Sequence, residues 1–266
     1  MKACSSPLAI GTASALTAAL LGLSSCSGIF DNVYDAPPET KRETQAGQLY
    51  VDASDWGSWH YIDLNEVNDS TSADSAFNPS ALWRHYTIPL AVTDTSGSDG
   101  HIPGIYTYWY DVFGAGLSNY EYRDFYPTAP QPGPESWSLA VHRNNVRTNS
   151  GAVARTGFRS FDELPAGTDW IADLTFHEDE WNEKDVWTIQ DQMLLGIIGN
   201  QGIEINNTLS SWLTIAIPPM PPAFTYSDNV FILRLADGSL AALQLENYLS
   251  DTGTKCCLTI NYMYPL

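Results

Sequence analysis

Residues 229–264 read "NVFILRLADGSLAALQLENYLSDTGTKCCLTINYMY". An apolar, β-branched run stops at Ala236-Asp237-Gly238, a tight-turn tripeptide, and a second apolar run follows directly. Asp-Gly between two such runs is a strong hairpin signal, because glycine enters the left-handed region that short reversals require. "SDTGTK" marks a second reversal, and "CCLTINYMY" a last strand. In that strand Cys256, Leu258, Ile260, Tyr262 and Tyr264 fall on one face, and Cys257, Thr259, Asn261 and Met263 on the other. Three successive strands joined by tight turns make an antiparallel meander, and the meander predicts an all-β body.

Upstream, the same type of signal recurs. "QLYVDAS", "WHYIDL", "HYTIPLAV", "GIYTYWYDVF" and "WSLAVHR" are short strand-forming runs, separated by clusters of Gly, Pro, Asp and Ser. No helical periodicity of useful length follows the first 25 residues, and no internal repeat is present. The proline-rich "DFYPTAPQPGPES" (124–136) has flanks of the same character on both sides, so it reads as a loop within one domain. The expectation is a single domain over 48–266, an antiparallel β-sheet or sandwich with long hairpins and loops.

The N-terminus carries a different message. Met1-Lys2 precedes "LAIGTASALTAALLGL", which ends in Leu23-Ser24-Ser25-Cys26. An aliphatic residue, two small residues and a cysteine have the form of a bacterial lipobox, with residues 1–25 as signal peptide and Cys26 as the lipidated residue. A simple secretory signal and a short membrane span are the other readings of such a run; its many Gly, Ser and Thr and the lack of basic residues after it disfavour the span. Residues 26–47 include "DAPPETKRETQAG", polar and proline-bearing, and read as a flexible tether. The body is then held to the membrane only through acyl chains.

Twelve basic against thirty-one acidic residues give a net charge of −19 over 266 residues. A field of that sign repels phosphate backbones and anionic headgroups, which makes nucleic acid a poor starting guess for a partner. Cys256 and Cys257, adjacent on a strand, point to opposite faces and are poorly placed to bridge each other, so they read as structural.

Enzymatic signatures are missing. There is no G-x-S-x-G elbow and no G-x-x-x-x-G-K-[ST] loop. "HEDEWNEKD" (177–185) starts like a zinc-protease helix but lacks the second histidine, and its plain reading is a solvated acidic loop. "DTSGSDG" (94–100) offers Asp94 and Asp99 to calcium without the full ligand spacing of a calcium loop. His60, His85, His101, His142 and His177 are scattered, none paired with another at metal-ligand spacing. His142 ends an alternating stretch and suits a strand-end hydrogen-bond network better than ligation.

The methionines are few and more informative. Met263 sits on a regular strand, Met193 lies in "QDQMLLGIIGNQG", and Met220 is clamped between proline pairs in "IPPMPPAF" (217–224). A thioether is a soft, neutral ligand suited to copper(I) or haem iron. Prolines fix φ at four neighbouring residues and lower the ordering cost of such a weak donor. The competing reading packs Met220 over an apolar surface patch.

Three segments, "YVDASDWGSWHYIDL", "ESWSLAVHRNNVRTNSGA" and the closing meander, resemble in this order the signature segments of the HmuY family. The likeness runs from about Leu49 to the C-terminus; residues 66–134 form an insertion relative to compact members. The resemblance implies an all-β, non-enzymatic lipoprotein on the outer-membrane surface, exposed to the medium. It also implies non-covalent binding of haem b, taken from host haemoproteins and passed to a TonB-dependent receptor. Family members hold iron between two axial side chains from neighbouring loops, histidines in the founding branch and methionines in others. Here the position matching one histidine is close to Ile217, which cannot ligate, and Met220 is the soft donor in the same loop. Met193 is the only methionine available upstream for the first ligand. Trp212, Phe224 and Tyr226 are then placed to offer rings to a porphyrin or to the core. The alternative, favoured by the aromatic insertion, is a surface adhesin that binds glycan or protein rather than haem.

Overall fold

The computed structural model describes residues 47–89, 91–93, 106–109, 120–127, 129–182, 184–190, 198–216 and 221–266. All of them belong to one unit, Arg42–Leu266. Strands are numbered along the chain, and the described residues form antiparallel sheets throughout.

The closing meander forms as its sequence dictates. β17 (Phe231–Arg234), β18 (Leu240–Leu249) and β19 (Lys255–Met263) pair in succession. Gly238 and Gly253 take φ of 86° and 84° at the two reversals, each donating its N–H back to the strand end, Leu235 and Ser250 respectively. Only glycine adopts this conformation without a Cβ penalty. β1 (Gln48–Asp52) adds to one side of β19, while β9 (Ala152–Arg155) and β10 (His177–Glu178) extend the other edge, in the order β1-β19-β18-β17-β9-β10.

A second sheet, β3-β2-β7-β8, is built from β2 (Ser58–Ile62), β3 (Arg84–Thr87), β7 (Leu139–His142) and β8 (Asn145–Thr148). The two sheets share one core. Leu49, Phe231, Leu233, Leu243, Leu258 and Ile260 from the first pack with Ile62, Leu139, Val141 and Val146 from the second. Burial of each such side chain contributes roughly 1.5–3 kcal/mol. Alternation decides which face each residue serves: Phe231 and Leu233 point into this core, whereas Ile232 points to the opposite face, under a cover made by residues 158–176. The expected alternation in β19 is found: Leu258 and Ile260 lie in the shared core, and Tyr262, with Tyr264 just beyond the strand, is partly buried against it. Cys256 has φ of 66° and departs from the regular pattern; it and Cys257 are buried free thiols.

One expectation fails. Residues Leu64–Ala73 form a ten-residue α-helix, α1, capped by the Asp63 carboxylate, which accepts the Asn65 N–H at 3.0 Å. Only Leu64 and Val67 of this helix are buried, so the apolar periodicity that marks a helix is nearly absent. Its placement comes from the cap and from Ser138, whose hydroxyl accepts the Leu64 N–H.

The remaining strands carry the region of interest. A five-stranded sheet runs β12-β13-β5-β6-β4, from β4 (Ala91–Thr93), β5 (Tyr106–Trp109), β6 (Tyr120–Pro127), β12 (Trp187–Ile189) and β13 (Ile198–Gln201). β11 (Glu180–Asn182) pairs with β14 (Ile203–Ile205), and β15 (Leu213–Ala216) with β16 (Ala223–Tyr226). Among the described residues, no helix is long and apolar enough to cross a membrane.

Candidate functional site

The segment 177–185 is not a zinc-protease helix; most of its described residues are solvent-exposed, as expected, but it is strand rather than loop. It forms β10 and β11, with Asp179 between them turned inward. Its carboxylate accepts the Thr148 N–H at 2.7 Å, the Thr148 hydroxyl at 2.8 Å and the Asn206 amide at 3.2 Å. Burial outweighs these bonds and holds its pKa above the ordinary carboxylate value. Asp179 thereby ties the end of β8 to the turn that launches residues 207–216.

The element "WSLAVHRNNVRTN" is likewise framework. The fully buried His142 ring places Nε2 3.0 Å from the Trp56 carbonyl, and burial pulls its pKa down to about 4. Donation by Nε2 to that carbonyl suits the neutral ring, so the strand-end network expected for His142 is the one formed. Arg143, in the left-handed region at φ 55°, donates to the Ser54 carbonyl and lies 4.2 Å above the Trp56 ring. Arg147 sits over Trp59 and Trp137. Such cation–π contacts stiffen the β7–β8 reversal.

Two hairpins rise from this framework. The first is β12–β13, whose connection, residues 190–197, contains Met193. The second is β15–β16, whose connection, residues 217–222, contains Ile217 and Met220. Met193, Ile217, Met220 and Cys26 all lie outside the described residues, as does the acidic stretch 94–100. The strands that carry the connections are well placed. In the first hairpin, Ile189 opposes Gly199, and a Cβ at Gly199 would lie 2.8 Å from the Ile189 Cβ. Glycine is what lets the two strands close there. β13 also pairs with β5, Gly199 opposite Tyr108, so the insertion strands β4 to β6 complete the sheet to which this hairpin belongs.

In the second hairpin, Leu213 opposes Tyr226 and Ile215 opposes Phe224. Trp212, just before it, is completely buried in the shared core, which removes it as a porphyrin contact. Phe224 stacks on Tyr248 of β18 with ring planes 3° apart, and Lys255 Nζ lies 4.2 Å from the Phe224 centroid. Tyr226 leaves 51% of its surface exposed and tilts against the same Tyr248.

A cavity of about 210 Å³ is bordered by Trp187 of β12 and by Leu213, Thr214 and Ile215 of β15, and the rest of its wall is mostly polar, with Asn144, Asn145, Asp185, Asn207 and Ser210. The Asn145 amide donates to the Asp185 carbonyl, and the Trp187 indole N–H to the Lys184 carbonyl, which fixes the wall. No sequence signal announces this convergence, because Trp187 and Leu213 belong to different sheets and meet at one cavity through packing between elements rather than through strand pairing.

Known structures share this architecture. A protein of Bacteroides fragilis described as a lipoprotein is 23% identical, with a TM-score of 0.54 over 84% of this chain and 92% of its own. A Bacteroides vulgatus protein described as an HmuY-like haem-binding protein is 26% identical, with a TM-score of 0.52 over 82% and 91%. The apo HmuY analog TFO of Tannerella forsythia is 19% identical, with a TM-score of 0.53 over 83% and 96%. No curated protein matches the sequence. The family model described as "HmuY protein" matches residues 55–262, from the loop before β2 to the end of the meander, and the chain belongs to the HmuY family.

Proposed function

We propose that this chain is a surface lipoprotein that binds haem b as cargo between its two hairpins, with Met193 and Met220 as axial donors and no catalytic turnover. The observation that carries the reading is membership of the HmuY family over residues 55–262; Trp187 of one hairpin and Leu213, Thr214 and Ile215 of the other, on strands that lead into the two methionine-bearing connections, also border one cavity. The description of the Bacteroides vulgatus relative as haem-binding supports it. Ile189 on one hairpin and Ile215 and Phe224 on the other are half-buried, uncharged side chains near the connections, which suits a flat apolar ring. The chain's part is to hold two soft donors at a set spacing, to exclude water with these side chains, and to release the ring to a receptor of the TonB-dependent kind. Host haemoproteins are the source in this reading, and acyl chains on Cys26, followed by the tether 26–47, fix the body 48–266 to the outer membrane.

The test is a haem titration of the full chain in mild detergent, oxidised and reduced, followed at the Soret band. Two thioethers bring no charge and favour the reduced metal, so ferrous haem binds more tightly than ferric. Met193→Ala and Met220→Ala each weaken binding at least tenfold. Absence of a Soret shift in both redox states overturns the function; a shift unaffected by either replacement overturns the ligand assignment alone.

A further inference from the structure

His60 and His85 are separated by α1 and two turns in sequence, yet they stand directly opposite each other on β2 and β3. Their ring centroids are 6.3 Å apart, with planes inclined by 44°. Opposed residues on antiparallel strands keep their Cβ atoms roughly 4.5–5.5 Å apart, and metal–nitrogen bonds of about 2.0–2.1 Å place two imidazole centroids roughly 5–6 Å apart. A small χ rotation therefore brings both rings onto one ion. His60 is half-buried, and its Nε2 is buried with no hydrogen-bond partner among the described residues; His85 is exposed, which gives the pair an entrance.

We propose that His60 and His85 form a two-histidine site for a divalent late-transition-metal ion, Cu²⁺ in preference to Zn²⁺, separate from the haem cavity. Neutral imidazole is the ligating form, and the order of divalent affinities places copper above zinc at nitrogen sites. Burial, followed by the neighbouring His85, holds the His60 pKa below its ordinary value, while the Asp55 and Asp52 carboxylates act on it in the opposite direction. Those carboxylates, and a net charge of −19, also attract a cation to this edge. Among the described residues no set of three or more His, Cys, Asp or Glu is arranged to hold a metal, so water fills the remaining positions. Such a site takes up an ion reversibly rather than supporting the fold.

The experiment is calorimetric titration of the untagged full chain in detergent with Cu²⁺ alone, then Zn²⁺ alone, without haem. One Cu²⁺ binds, more tightly than Zn²⁺, and its electron paramagnetic resonance spectrum shows coupling to two nitrogens. His85→Ala, at an exposed position, weakens Cu²⁺ binding at least tenfold and removes one nitrogen coupling; His60→Gln does the same. His101→Ala, outside the described residues, changes neither. Wild-type affinity in both His85→Ala and His60→Gln, absence of nitrogen coupling, or loss of binding in His101→Ala overturns the proposal.

Discussion

Phe224 and Tyr248 lie in parallel rings, 3° from coplanar and 5.7 Å between centroids, and join the β15–β16 hairpin to the central strand β18. One partner stands beside the Met220 connection and the other belongs to the closing meander, so the stack transmits the rigidity of the main sheet to the candidate ligand hairpin. Lys255 Nζ lies 4.2 Å from the Phe224 centroid and adds a cation–π contact to the pair.

Tyr248→Ala removes this stack and the Tyr226 contact together. An aromatic pair is worth about 0.5–1.5 kcal/mol beyond its buried area, so stability falls by about 2 kcal/mol in urea unfolding. Haem affinity drops with it, although Tyr248 lies outside the proposed iron ligands. Unchanged haem binding in a folded Tyr248→Ala protein would show that the hairpin needs no such anchor.

Gly199→Ala tests the other hairpin. The new Cβ would lie 2.8 Å from the Ile189 Cβ, closer than folded chains permit, so the pair must part. Overpacking of this kind costs about 1–3 kcal/mol. Ile189→Gly, which takes away the opposing atom, recovers most of the loss in the double variant; thermal melts of the two single variants and the double variant measure this coupling. Additive losses would contradict the close approach.

His142 sets an acid limit. Its folded pKa, about 4, lies below the 6.5 of an unperturbed histidine, because burial disfavours the charged ring. The stabilisation is therefore complete above pH 6.5 and is lost as pH falls towards 4, where the unfolded chain takes up a proton that the native ring refuses. The difference amounts to about 3 kcal/mol. His142→Gln keeps a donor for the Trp56 carbonyl and removes this titration, so its urea midpoint changes much less between pH 6.5 and 4 than that of the wild type. His60, also held below its ordinary pKa by burial, leaves a residual slope. Identical pH profiles for the two proteins would refute the assignment.

The meander was legible in residues 229–264 because strand alternation and the glycines at 238 and 253 are local properties, each set by backbone sterics within a few residues. α1 escaped notice because it buries only Leu64 and Val67 and owes its position to Asp63 and Ser138, the latter far along the chain. The isolated look of the five histidines failed for a similar reason: the opposition of His60 and His85 follows from the register of β2 on β3, which no linear spacing encodes. Trp212 could not be assigned to porphyrin or core from its neighbours, and burial between two sheets settled it as core. By itself, the sequence determined the all-β class, the order of the closing strands and the positions of Met193 and Met220 in the chain. Only the tertiary structure decided that Trp187 and Leu213 border one cavity, because that juxtaposition arises from packing between elements, where hydrophobic burial acts without regard to distance along the chain.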